Sequence, residues 1–280
     1  MFPGKLIIFD YSGTLSMEST LFGRPDYLMK QLKESGLMDL GITSPGIFWE
    51  QIVNPTWVEG STTQAGYKKV MEDRISAILY QNMSIVSCVK ISDAASLFVD
   101  SYLSHSLIDG RWEPVLDKLN SHPSVRAIIA TDHYAEATGY ILQFLKELHI
   151  QAVSAKVAMA ATGSTSVIVA NSADLGFHKD DLRFWEILKN GLYMGGVRHV
   201  LLIDDFGCNE QKENSYSAPE KVEQRKRDTV RLLQEVFSVE VQAIPFIVED
   251  NKDEKAFSDL ITNVSAIIDR YLATPDDGLQ

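Results

Sequence analysis

LIIFDYSGTLS, residues 6–16, runs four apolar residues straight into an aspartate and then a glycine-containing turn. A short apolar run rich in β-branched residues and bounded by polar ones reads as a parallel strand buried on both faces. The same pattern recurs at Ala127 to Ala130, Val167 to Ala170, Val200 to Ile203 and Ile244 to Val248. Helical spacing separates many of these runs. From Tyr134 to Leu148, apolar residues fall at Tyr134, Ala137, Ile141, Leu145 and Leu148, with Asp132 placed to cap the start. Leu182, Trp185 and Leu188 share one face of a second helix that ends at Gly191, and Phe257, Leu260, Ile261, Val264, Ile268 and Tyr271 mark a third. Strands alternating with amphipathic helices predict an α/β fold with a doubly wound parallel sheet.

The interval from Ser16 to Gly110 breaks this alternation, because it has helical periodicity and almost no strand signal. Pro25 to Glu34, Gln64 to Leu79 and Asp93 to Tyr102 read as helices, with Gly41, Pro45, Asn54 and Pro55 in the breaks. So long a stretch does not fit as a loop in a compact domain, so it is expected to pack on itself as an inserted helical lobe. Further on, Asn209 to Asp228 mixes both charge signs ahead of the apolar run Val230 to Phe237, as a surface loop and a solvated helix face do.

With 280 residues and 45% apolar content, the chain can bury a large core. A net charge of −12 argues against partners whose binding depends on neutralising nucleic acid or an anionic membrane surface. Cys88 and Cys208 lie far apart and in no metal-like spacing. The N-terminal apolar run, interrupted by Asp10, is too short for a signal segment, and no stretch reaches the roughly 18 apolar residues of a spanning helix. A cytoplasmic protein without membrane association is expected.

Ligands of doubly wound sheets bind outside the carboxyl ends of the strands, so the polar residues after each apolar run are the candidates for chemistry. Asp10-Tyr11-Ser12-Gly13-Thr14 offers a carboxylate and a turn able to approach an anion, although Asp and Gly also make ordinary turns. Thr131 offers a hydroxyl, or merely the start of a helix. Asp204 and Asp205 would repel each other unless a cation, hydrogen bonds or solvent compensates, and magnesium favours such oxygen ligands. Lys179, in GFHKDD, is of a type most often found on the surface.

Taken in order, LIIFDYSGTLS, AIIATD, GFHKDDLRFWEIL and HVLLIDD resemble the four motifs of the haloacid dehalogenase (HAD)-like hydrolase superfamily. The resemblance implies a Rossmann-like core over residues 1–15 and 111–280 and a helical cap over 16–110. It implies a magnesium-dependent phosphatase or phosphotransferase acting on a small phosphorylated metabolite through an aspartyl-phosphate. On that reading Asp10 is the nucleophile; Thr131 and Lys179 bind the phosphate with Gly13 and Thr14; and Asp10, Asp204, Asp205 and the Ser12 backbone carbonyl hold the metal.

The chain departs from the family's phosphatases at Ser12, where they carry an aspartate that serves as general acid and base. Losing such a group typically costs about 10²–10⁴-fold in rate. Alternatives are therefore a catalytically impaired relative that binds a phosphorylated ligand or protein partner, or a dehalogenase or phosphonatase. Dehalogenase chemistry is metal-free and would leave Asp204 and Asp205 surplus, and no cap lysine of the phosphonatase kind is identifiable. His133 and His178 flank Thr131 and Lys179 and are candidate proton carriers. Trp49, Trp57 and Arg111 lie in or beside the helical interval, where core packing or a surface ion pair competes with substrate contact. Cys208 has no evident base partner and reads as a passive thiol.

Overall fold

The computed structural model describes residues 4–81, 86–122, 124–161, 167–210, 218–248 and 254–274. Six parallel strands form one sheet in the order β3-β4-β2-β1-β5-β6. They are β1 (Lys5–Asp10), β2 (Val125–Thr131), β3 (Ala152–Ser154), β4 (Val167–Asn171), β5 (His199–Asp204) and β6 (Val241–Pro245). β1 is central and every one of its residues is buried, as its unbroken apolar run requires.

Alternation along the strands divides the apolar side chains into two layers. Ile7, Phe9, Ile129, Val169, Leu201 and Ile203 face one side; Leu6, Ile8, Ile128, Ile168, Val200 and Leu202 face the other. The second side is covered by the Leu182–Gly191 and Pro219–Phe237 helices through Phe184, Trp185, Leu188, Leu233 and Phe237. The first is covered by the Glu113–Asn120, Ala137–Glu147 and Glu254–Ala273 helices, and its apolar cluster continues into the helices between β1 and β2.

That interval contains no strand among its described residues and includes helices at Pro25–Glu34, Asn54–Thr62, Tyr67–Gln81 and Cys88–His105. Asn54 and Pro55 do not break a helix, as the sequence reading expected; they begin one. A proline in the first turn sacrifices no internal hydrogen bond, and a π-helical stretch, Phe48–Val53, leads directly into it. Gly41, by contrast, does end a helical turn, at φ +92°.

One strand is not read from the sequence, and another shifts. β3 is only three residues long and none of them is fully buried, so it carries no apolar run to detect. β6 lies three residues earlier than its apolar run, leaving Phe246 and Val248 beyond the strand end, where both are buried. The chain moves outward from β1 to β2 and on to the edge strand β3, comes back to β4 between β3 and β2, then crosses to β5 on the other flank of β1. The carboxyl ends of β1 and β5 therefore lie at the point where strand order reverses, the ligand crevice of such sheets. Among the described residues no helix is long and apolar enough to cross a membrane.

Candidate active site

Asp10 closes β1 and Asp204 closes β5, and both are nearly inaccessible to solvent. One ligand atom from each of Asp10, Asp204 and Asp205 lies within 4.8 Å of the others. The Lys179 ammonium joins this cluster, donating to Asp10 Oδ1 and lying 3.5 Å from Asp204 Oδ2. Lys179 is thus no surface lysine. Its backbone is held on both sides: its N–H donates to Asp132 Oδ1 at 2.9 Å, and its carbonyl accepts the Trp185 indole N–H at 2.8 Å. Asp132 is committed to that contact rather than to helix capping. The helix starts at Ala137 instead, and the residue before it, Glu136, makes no side-chain cap.

The turn after Asp10 is closed by its own backbone. The Tyr11 carbonyl accepts the N–H groups of Leu15 and Ser16 at 3.0 and 2.9 Å, and Gly13 N–H donates to Ser16 O at 2.8 Å. Gly13 has φ +78°, and a Cβ there would sit 2.4 Å from Asp205 Oδ2, so both conformation and space require glycine. Thr14 is fully buried, and its Oγ1 accepts the Asp205 N–H at 3.1 Å. Gly13 and Thr14, expected to meet phosphate, here join the β1 loop to the β5 loop. Ser12 is half-buried beside them, and Thr131 ends β2, one register position past the Asp10–Ala130 pairing.

The β5 loop holds its acids by local amides. Phe206 N–H donates to Asp204 Oδ1 at 2.6 Å, while Gly207 and Asn209 N–H groups donate to the two Asp205 oxygens, each at 2.9 Å. Phe206 and Gly207 take left-handed φ values of +52° and +72° to make that wrap, and Arg225 Nε–H braces the Phe206 carbonyl at 2.8 Å. Asn209 went unnoticed in the sequence. Its amide donates to Gly13 O at 2.6 Å and Phe246 O at 2.7 Å and accepts Val248 N–H at 2.9 Å, so one side chain ties together three loops.

Three buried carboxylates lie together beside one ammonium, which pairs with two of them, Asp10 and Asp204. Burial pushes the Asp10 carboxyl above the ordinary aspartate range, with Lys179 opposing and Asp204 adding to the rise. Burial does the same to Asp205, reinforced by the charges of Asp10 and Asp204. For Lys179 burial disfavours the charge, but Asp10, Asp204 and Asp132 outweigh it and hold the ammonium. An all-oxygen set with charge left over is the donor chemistry of a hard divalent cation.

His133 is buried, with Nδ1 accepting the Tyr134 N–H at 3.0 Å and Nε2 lying 3.0 Å from the Tyr102 hydroxyl. His178 stacks on Trp57, and its Nε2 lies 2.6 Å from Ser61 Oγ. Ser61 gives its hydroxyl proton to the Trp57 carbonyl, so His178 is the donor in that contact. Trp49 packs half-buried against the core. Arg111 pairs with Asp109 and Glu254 and lies over the Phe257 ring. Cys208 is half-buried and packs against the second apolar cluster. No family model matches the chain, and no curated protein matches it.

Proposed function

We propose that the chain is a magnesium-dependent HAD-like phosphohydrolase or phosphotransferase acting on a small phosphorylated metabolite through an aspartyl-phosphate at Asp10, with residues 16–110 as its cap. The observation that carries this reading is the convergence of Asp10, Lys179, Asp204 and Asp205 at the carboxyl ends of β1 and β5. Residues from three separated segments meet where an α/β sheet binds its ligands.

In the proposed reaction, an Asp10 carboxylate oxygen attacks phosphorus and the bond to the leaving oxygen breaks; water then attacks the acyl-phosphate and restores Asp10. Lys179 faces the nucleophile and would offset the charge of an incoming phosphoryl group. Thr131, at the end of the neighbouring strand, would donate to a phosphoryl oxygen. Held by Asp10, Asp204, Asp205 and the Ser12 carbonyl, magnesium would supply charge neutralisation. Burial of the cluster excludes bulk water, which strengthens each of these interactions.

The test is phosphate release from a panel of phosphorylated metabolites, with magnesium or with chelator. Release that needs magnesium and disappears in Asp10→Asn is the expected result; release that persists in that variant removes the assignment. Ser12, which has no carboxyl to move a proton, favours a second reading as a phospho-ligand-binding protein. That reading predicts stabilisation by magnesium with a phosphate mimic, no turnover in the native chain, and turnover gained in Ser12→Asp.

A further inference from the structure

If Asp10 transfers phosphate, the leaving oxygen needs a proton, and Ser12 has no acid to give one. The hydrogen bonds around His133 identify another source. Its Nδ1 accepts the Tyr134 N–H at 3.0 Å, so that nitrogen carries no proton. The neutral ring must therefore carry its proton on Nε2, which lies 3.0 Å from Tyr102 Oη. The phenol oxygen is the acceptor in that contact, and its own O–H proton is left to point elsewhere. Among the described residues no acceptor takes it.

Tyr102 lies near the end of the Cys88–His105 helix, and this end is bound to the site. The Tyr11 hydroxyl, next to Asp10 in the chain, donates to the carbonyl of Ser106, four residues past Tyr102. The Tyr102 ring stacks on His133 at 5.5 Å and meets Phe22 edge-on at 4.9 Å, so the ring is held between two neighbours. Tyr102 thus meets His133, two residues past Thr131 at the end of β2, and the end of its helix is tied to Tyr11, the residue after Asp10 at the end of β1.

We propose that Tyr102, oriented by His133, is the proton donor to the leaving-group oxygen of the substrate. The inference rests on the phosphotransfer reading and deepens it. In the first step the P–O electron pair passes to the leaving oxygen, which takes the Tyr102 proton. In the second, the attacking water gives a proton back to the phenolate as the bond to Asp10 breaks. A donor of this kind matters for an alkoxide and hardly at all for a leaving group already stable as an anion.

The experiment compares the native chain with Tyr102→Phe on an alkyl phosphate and on p-nitrophenyl phosphate, in magnesium. The expected result is a loss in kcat of about 100-fold on the alkyl ester and only a few-fold on the aryl ester, the lower end of what a positioned acid contributes. Stabilisation by magnesium with beryllofluoride should be the same in both proteins, showing an intact site. His133→Leu, which leaves the phenol but removes the N–H that orients it, should lower the alkyl rate selectively by a smaller factor. Equal losses on the two esters, or no loss, overturn the role of Tyr102. A native chain silent on both esters, or an active Asp10→Asn, instead shows that the phosphotransfer reading has failed and the proposal with it.

Discussion

His133 shows how much a single side chain can hold once its neighbours are known. Burial lowers its pKa to about 4, and both ring nitrogens are engaged by groups that fit the neutral ring. The ordinary value is about 6.5, so between these limits the unfolded chain binds a proton that the folded chain refuses. Stability from this residue is therefore complete above the unfolded pKa and is lost as pH falls toward the folded one. Urea unfolding should show a contribution of about 2 kcal/mol disappearing between pH 7 and pH 5. His133→Leu should flatten that part of the profile, even if its overall stability is lower; parallel profiles for the two chains would contradict the assignment. The same residue shows the limit of reading a sequence. His133 could be singled out for its place beside Thr131, but its tautomer depends on how the chain folds around it, and its tyrosine partner sits on a helix 31 residues earlier.

At the scale of elements, the docking of the Asn54–Thr62 helix depends on the absence of one methyl group. A Cβ at Gly60 would lie 2.3 Å from the Tyr134 ring, which is itself stacked on Tyr67 at 3.8 Å. Gly60→Ala gains up to about 1 kcal/mol in helix propensity, whereas overpacking costs about 1–3 kcal/mol. A net loss of stability is expected in urea unfolding, and a double-mutant cycle with Tyr134→Leu should recover part of it. A Gly60→Ala chain more stable than the native one would refute the close packing. This helix was not legible in the sequence, because its proline, glycine, serine and threonines carry no periodic apolar stripe and tertiary contacts hold it. The central strands were legible for the opposite reason: burial on both faces leaves an unbroken apolar run. Asp10 and Asp204 could be found because each terminates such a run. Asn209 could not, since its bonds to Gly13, Phe246 and Val248 span distant loops.

At the scale of the whole molecule, the sheet brings like charges together where a folded chain would ordinarily keep them apart. Strand order places the ends of β1 and β5 side by side, and loop amides hold the Asp204 and Asp205 carboxylates in place, so the acids cannot swing away from one another. Counted as fully ionised, the three acids and one lysine carry two of the chain's twelve net negative charges, and burial already pushes Asp10 and Asp205 toward taking up a proton instead. Loss of solvation and mutual repulsion both work against folding, and a bound divalent cation relieves both. Magnesium at about 100 times its Kd should therefore stabilise the fold by about 2.7 kcal/mol, a rise in Tm of roughly 5 °C for a domain of this size. Excess chelator should reverse the rise, and Asp205→Asn should weaken it by removing one charged ligand. The same shift with calcium but not with sodium would trace it to divalent charge at an oxygen site rather than to ionic strength. Identical melting in magnesium and in chelator would mean that Lys179 and the loop amides alone satisfy the three acids, and the metal-dependent reading of the site would fall.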